Sequence, residues 1–176
     1  MPASPWIAST RNAAVSGVIL GKALGGGLLP VSAFVATNNV MRVFNPGDHG
    51  STFGGNPLAA TVAMAALDVL FDERLIERAR VVGARLMAGL RKIDSPLVRD
   101  VRGRGLLVGI EIDPRLADAR TVVLKMLERG MLSKDTHGTV VRIAPPLNIE
   151  ESAIDWAVLE IGKVLREIER NVLQPA

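Results

Sequence analysis

Apolar residues along the chain follow two kinds of pattern, and the change between them falls near residue 56. Before it, residues 15–20 and 31–37 are short apolar runs bounded by Gly, Pro and Asn, which predicts buried strands. Between them lies Gly21-Lys22-Ala23-Leu24-Gly25-Gly26-Gly27, too rich in glycine for a regular element. After it, Asn56 is placed to cap a helix and Pro57 suits the first turn. Residues 58–70 are then apolar nearly all round, which predicts a buried helix.

From about residue 72 the periods are mixed. Leu75, Ala79, Val82, Leu86 and Leu90 recur at spacings of three and four and predict a helix over about 72–92, with Arg74, Arg78 and Arg85 on a solvated face. Ser95-Pro96 ends it. Strands are expected at 97–102 and 106–112, joined by Gly103-Arg104-Gly105, then a helix over 117–129 closed by Gly130. Two more strands follow at 131–134 and 139–143, the second stopped by Pro145-Pro146. A last helix, roughly 151–171, carries Ile154, Val158, Ile161, Leu165 and Ile168 on one stripe. This order of elements is an α+β sandwich of modest size.

Composition narrows the function. The chain has 176 residues, 48% hydrophobic and 22% charged, enough for a packed core and unlike a disordered segment. Cysteine is absent, which removes disulfides, thiolate metal sites and cysteine nucleophiles and agrees with a cytoplasmic address. His49 and His137 are the two histidines, so a histidine metal site would need carboxylates, and no metal is expected. No apolar run reaches the ~18 residues of a membrane span; residues 58–71 are interrupted by Asp68, and no membrane partner is expected. The whole excess charge of +3 lies in residues 1–47, which contain Arg11, Lys22 and Arg42 and no acid. That is a deficit of acids and not a basic patch, so no nucleic-acid partner is expected. Val18-Ile19-Leu20 is too short, and too soon followed by a lysine and glycines, to be a leader core. Trp6 and Trp156 read as packing residues.

Three places carry candidate chemistry. Lys22 is the sole lysine before Lys92 and directly follows an apolar strand. A nucleophilic lysine needs desolvation or a cationic neighbour, and a strand end opening into glycines offers burial and room for a bulky group; the residues alone favour a plain surface turn over that role. His49-Gly50-Ser51-Thr52-Phe53-Gly54-Gly55-Asn56-Pro57 combines free N–H groups, hydroxyls and a helix start, the ingredients of an anion site, or else of an ordinary capped glycine loop. Arg142 lies inside Val140-Val141-Arg142-Ile143-Ala144-Pro145-Pro146-Leu147, where it either holds a carboxylate with its planar fork or alternates onto a solvent face. His137, before Gly138, is read as a turn residue.

Taken together, Val18-Ile19-Leu20-Gly21-Lys22-Ala23-Leu24-Gly25-Gly26-Gly27, the His49–Leu58 segment, and Thr136-His137-Gly138-Thr139-Val140-Val141-Arg142-Ile143-Ala144-Pro145-Pro146-Leu147 resemble the class III aminotransferases that use pyridoxal 5′-phosphate. The Thr-His-Gly ahead of the arginine and the Ala-Pro-Pro after it lean toward the branch that takes ornithine, before those that take acetylornithine or 4-aminobutyrate. The resemblance implies an α/β chain that is the C-terminal part of a type I PLP-dependent transferase fold. Residues 1–71 would be the end of the large cofactor domain with its inter-domain helix, and residues 72–176 the small α+β domain. It implies that Lys22 binds the cofactor covalently and then serves as the base that moves the substrate proton. Ser51 and Thr52 would bind the cofactor phosphate of a neighbouring subunit in a homodimer, and Arg142 the carboxylate of an amino acid or 2-oxo acid.

The family's phosphate loop, its ring-stacking aromatic and the aspartate that pairs with the pyridine nitrogen all lie upstream of the lysine. Only twenty-one residues precede Lys22, Val15-Ser16 stands where a Pro-Asp pair is usual, and residues 1–14 match nothing in the family. The expectation is therefore a C-terminal half, inactive alone, which either needs a separately encoded N-terminal half or is a remnant whose product folds poorly. Absent tyrosine places any ornithine-selecting tyrosine in that other half. Strands cut from a large sheet should expose edges and apolar surface at a cost in solubility. A noncatalytic domain that binds a partner or an anion through the glycine loop is the alternative.

Overall fold

The computed structural model describes residues 16–173, and Trp6 and Val15 lie outside the described residues. The chain divides into two compact units after Asp72.

In the first unit, β1 (Gly17–Leu20) pairs antiparallel with β2 (Ala33–Ala36), Val18 opposite Val35 and Ile19 opposite Phe34. Between them runs a 3-10 turn, Lys22–Gly25. It closes by hydrogen bonds from Leu24 N–H to the Gly21 carbonyl and from Gly26 N–H to the Ala23 carbonyl. Gly26 and Gly27 follow at φ 59° and 79°, a left-handed path that their missing Cβ atoms permit. A four-residue helix, α1 (Asn38–Met41), and a loop lead to α2 (Pro57–Asp72). Asn56 caps α2 as expected: its Oδ1 accepts from Ala59 N–H at 2.8 Å.

The expected burial of these elements is not what forms. Ile19 is 81% exposed and Leu58 and Met64 about two thirds exposed. The reason is the side that each element turns to its neighbour. On α2 the residues facing the glycine turn are alanines: Ala59 and Ala63 are buried, and Ala66 lies against Gly26. The bulky residues point away, where no described residue of the unit covers them.

The second unit is a four-stranded antiparallel sheet, in the order β3-β4-β6-β5, with three helices. Its strands are β3 (Val98–Arg104), β4 (Leu107–Ile112), β5 (Lys134–Thr136) and β6 (Val140–Ile143). Its helices are α3 (Leu75–Arg91), α4 (Ala119–Glu128) and α5 (Glu151–Leu173). Strict alternation sends Val108, Ile110 and Ile112 of β4 into the core with Val101 and Val141 beside Ile110, where they meet Leu86, Met126, Ile161 and Leu165 from the helices.

Boundaries differ from the pattern in two places. Helix α3 begins at Leu75, not 72, because Asp72 still belongs to α2 and Arg74 turns the chain at φ 49°. Residues 131–133 are not strand: Met131 is buried beside α4, and pairing begins at Lys134, where the hairpin with β6 fixes the register. The arginines of α3 are also not all solvated. Arg78 is half-buried and donates to the Ile149 carbonyl, while Arg85 holds Glu151 and Asp155 of α5. Trp156 is 46% exposed on α5.

Candidate functional site

The candidate residues fall into the two units, Lys22, Ser51 and Thr52 in the first and Arg142 in the second.

Lys22 opens the 3-10 turn at the end of β1 with φ 52°, a backbone conformation uncommon for a residue with a Cβ. Gly21, in front of it, is extended, so the chain reverses its twist over two residues. The side chain is exposed and its amine has no hydrogen bond or ion pair among the described residues. The burial expected from the strand end is therefore not supplied by the described residues of this unit. What the local sequence does supply is a rigid stem for a free amine, with glycine backbone close by.

Ser51 and Thr52 lie exposed in the loop before α2. That loop is ordered by its own bonds. Asn56 Nδ2 donates to the Phe53 carbonyl at 2.9 Å, Asn45 N–H donates to the Asp48 carboxylate at 2.7 Å, and His49 leans on Phe44 with ring centroids 5.0 Å apart. A Cβ at Gly54 would strike the Ser51 hydroxyl, so glycine there leaves that hydroxyl its place. Two hydroxyls and the start of a sixteen-residue helix thus share one loop.

Arg142 alternates onto the face of the sheet opposite the core and is exposed. The register sets one row across that face, Arg102–Gly109–Arg142–Lys134. Gly109 puts bare backbone between the two arginines. Arg102 is neutralised by Asp100 and Glu111, whose hydrogen bonds hold it more firmly charged. Arg142 and Lys134 have no such partner among the described residues. His137 lies in the β5–β6 turn at φ 54° with Gly138 at 73°, the turn position the sequence indicated.

Sequence reasoning missed two charged residues of this unit. Lys134 was placed at a strand end with no role, yet it and Arg142 are equally distant from Gly138, and hairpin counting alone sets them opposite each other. Asp113 is the other: buried at the end of β4, it takes a two-pronged bond from Arg115, the Arg115 N–H at 2.9 Å, and Arg99 at 3.0 Å. The Arg115 side chain above all, then its N–H, holds that carboxyl well below the usual carboxylate range.

The model of the family described as aminotransferase class-III matches residues 11–165. The chain is 56% identical over 146 residues to the ornithine aminotransferase of Staphylococcus carnosus, covering 83% of this chain and 36% of that protein. It is 50% identical over 148 residues to that of Bacillus subtilis, covering 84% and 36%. Among solved structures, an ornithine delta-aminotransferase of Plasmodium falciparum superposes with a TM-score of 0.85 at 42% identity, over 89% of this chain and 41% of that one. The acetylornithine aminotransferase of Elizabethkingia anophelis gives 0.82 at 46% identity, over 89% and 40%. The chain thus spans about two fifths of the length of these relatives. Its mixed α/β architecture is that of the matching part of the aminotransferase structures.

Proposed function

Because the chain belongs to the class-III aminotransferase family, we propose that it carries the lysine and the carboxylate-binding arginine of an ornithine aminotransferase. The reaction moves the δ-amino group of ornithine to 2-oxoglutarate and gives glutamate semialdehyde and glutamate, with pyridoxal 5′-phosphate as cofactor. The observation that carries this reading is Lys22: a primary amine unpartnered among the described residues, at φ 52° in the 3-10 turn between Gly21 and Gly25 that follows strand β1.

The donor set fits the cofactor in part. Lys22 offers the amine that an aldehyde requires. Ser51 and Thr52 offer hydroxyl donors for a phosphate beside a helix start, where Gly54 leaves room for the Ser51 hydroxyl. These two would serve the neighbouring copy in a homodimer, and a separately encoded N-terminal half would bring the groups that face the pyridine ring.

When bound, the cofactor supplies a sink for the electron pair left by the departing proton. Lys22 Nζ takes that proton from the carbon bearing the transferred amino group and returns it on the far side of the transfer, a role that suits a mobile amine on a fixed stem. Arg142 grips the substrate carboxylate through two parallel N–H···O bonds and so orients the reacting carbon.

The test is chemical. The purified chain is mixed with pyridoxal phosphate, with and without the N-terminal part of a full-length relative, reduced with borohydride and digested for peptide mass analysis. A cofactor adduct on the Lys22 peptide, absent from Lys22→Ala, is expected when both halves are present. An unlabelled Lys22 in that mixture refutes the reading, and phosphate binding without the adduct points instead to a noncatalytic anion-binding loop.

A further inference from the structure

We propose that the free edge of β3 is a pairing surface for a second copy of this chain, and that Arg91 holds it shut. The inference uses none of the residues assigned to cofactor or substrate.

Hydrogen-bond direction is the first ground. Strand β3 borders its sheet, with β4 on one side and no described strand on the other. Ile112 N–H donates to the Thr139 carbonyl, toward β6, so alternation along β4 turns the backbone groups of Val108 and Ile110 the same way. Val101 and Gly103, opposite Ile110 and Val108, therefore aim their own N–H and C=O groups at the open side. An open row of this kind is a template for another strand. Arg91, at the end of α3, lies across it: its Nε and Nη2 donate to the Val101 carbonyl at 3.2 and 3.1 Å. One guanidinium thus takes the acceptor at the centre of a seven-residue strand. A cleft of about 330 Å³, with Leu90, Ile93 and Val98 in its walls, lies beside that contact. Arg91 borders this space and is itself exposed, so it can swing aside without disturbing the core.

Charge is the second ground, and it names the occupant. Antiparallel pairing of two β3 strands about a two-fold axis at Val101 sets Asp100 of each copy opposite Arg102 of the other. The order Asp100-Val101-Arg102 is thus complementary to itself. Both charged side chains leave the face opposite the core, each about half exposed, and within one copy they pair at 3.0 Å. Across the axis that pair continues into a row of alternating charges, an arrangement that favours strand pairing. Arg99 falls opposite Gly103, which has no side chain to meet it.

The chain contains no cysteine, so Arg104→Cys carries a single spin label at the end of β3. In a pair centred on Val101 the two labelled positions lie six residues apart along the strands, about 20 Å at ~3.4 Å per residue. Pulsed dipolar spectroscopy of the full labelled chain should show that distance in Arg91→Met, which keeps the stem and loses the donors. It should be missing with Arg91 in place and in Arg91→Lys, which keeps a donor. Adding Asp100→Arg to Arg91→Met should abolish it by setting like charges opposite. Amide exchange, read in parallel, should slow at Val101 in Arg91→Met alone. Association through the exposed apolar residues of the first unit is common to all these chains and leaves the differences between them intact. The same distance at equal strength with Arg91 in place overturns the role of Arg91. Its absence from Arg91→Met, with Val101 exchanging as in wild type, overturns the pairing surface, and so does its survival when Asp100→Arg is added.

Discussion

Three helical glycines of the second unit make a graded test of its packing. Replacing glycine by alanine inside a helix gains about 1 kcal/mol from reduced backbone freedom, provided the new methyl has room. At Gly162 the nearest atoms to an added Cβ belong to the flexible Arg166 guanidinium, at 3.4 Å and beyond, so Gly162→Ala should stabilise by about 0.5–1 kcal/mol. At Gly89 the methyls of Val158 lie at 2.9 and 3.0 Å, and the strain should roughly cancel the gain. At Gly83 the methyl would fall on the backbone carbonyl of Gly105, which no rotamer can move. Helix α3 would have to lift from the β3–β4 turn, at an overpacking cost near the upper end of the usual range, about 3 kcal/mol, for a net loss of about 2 kcal/mol. Urea unfolding followed by far-ultraviolet circular dichroism, at unchanged m-value, reads the order of midpoints: Gly162→Ala above Gly89→Ala above Gly83→Ala. A Gly83→Ala midpoint at or above wild type would refute the account of how α3 seats the hairpin, and with it the placement of the sheet row that carries Arg142.

Asp113 should make the unit sensitive to acid. Its folded-state value is depressed by Arg115 and Arg99, so its stabilisation is fully present above the unfolded-state value of about 4 and is lost as the pH falls through the lower folded value. Asp113→Asn should lower the urea midpoint at neutral pH, and its difference from wild type should narrow below about pH 4. Asp118 caps α4 by accepting from Thr121 N–H at 2.7 Å, and Asp118→Ala should cost about 1 kcal/mol in the same assay.

Much of this was legible in the chain because the signals are local. The spacing of Leu75, Val82, Leu86 and Leu90, the cap at Asn56 and the left-handed Gly130 each act within a few residues, and each element formed, α3 starting three residues later than its pattern indicated. Alternation along β6 was enough to turn Arg142 away from Val141. What the pattern could not convey is whether a surface exists to receive an apolar face. Ile19 and Leu58 look like core residues in any window, yet no described residue of the unit covers them. Lys134 escaped notice for the opposite reason: it stands among polar residues, and its meaning comes only from the strand across from it. Asp113 likewise draws on Arg99, fourteen positions away, through the bend that brings β3 beside β4.

Strand β5 is three residues long, forms one border of its sheet and carries a lysine there. Such a border is a poor template for another chain, since pairing would bring ammonium groups of successive copies together. The β1–β2 ribbon has the reverse character: four residues on each side, apolar along Val18-Ile19-Leu20 and free of charge. If copies of this chain grow into fibres, the growing tip is therefore built from the ribbon that ends in Lys22, and the lysine on β5 keeps the second unit out of the stack.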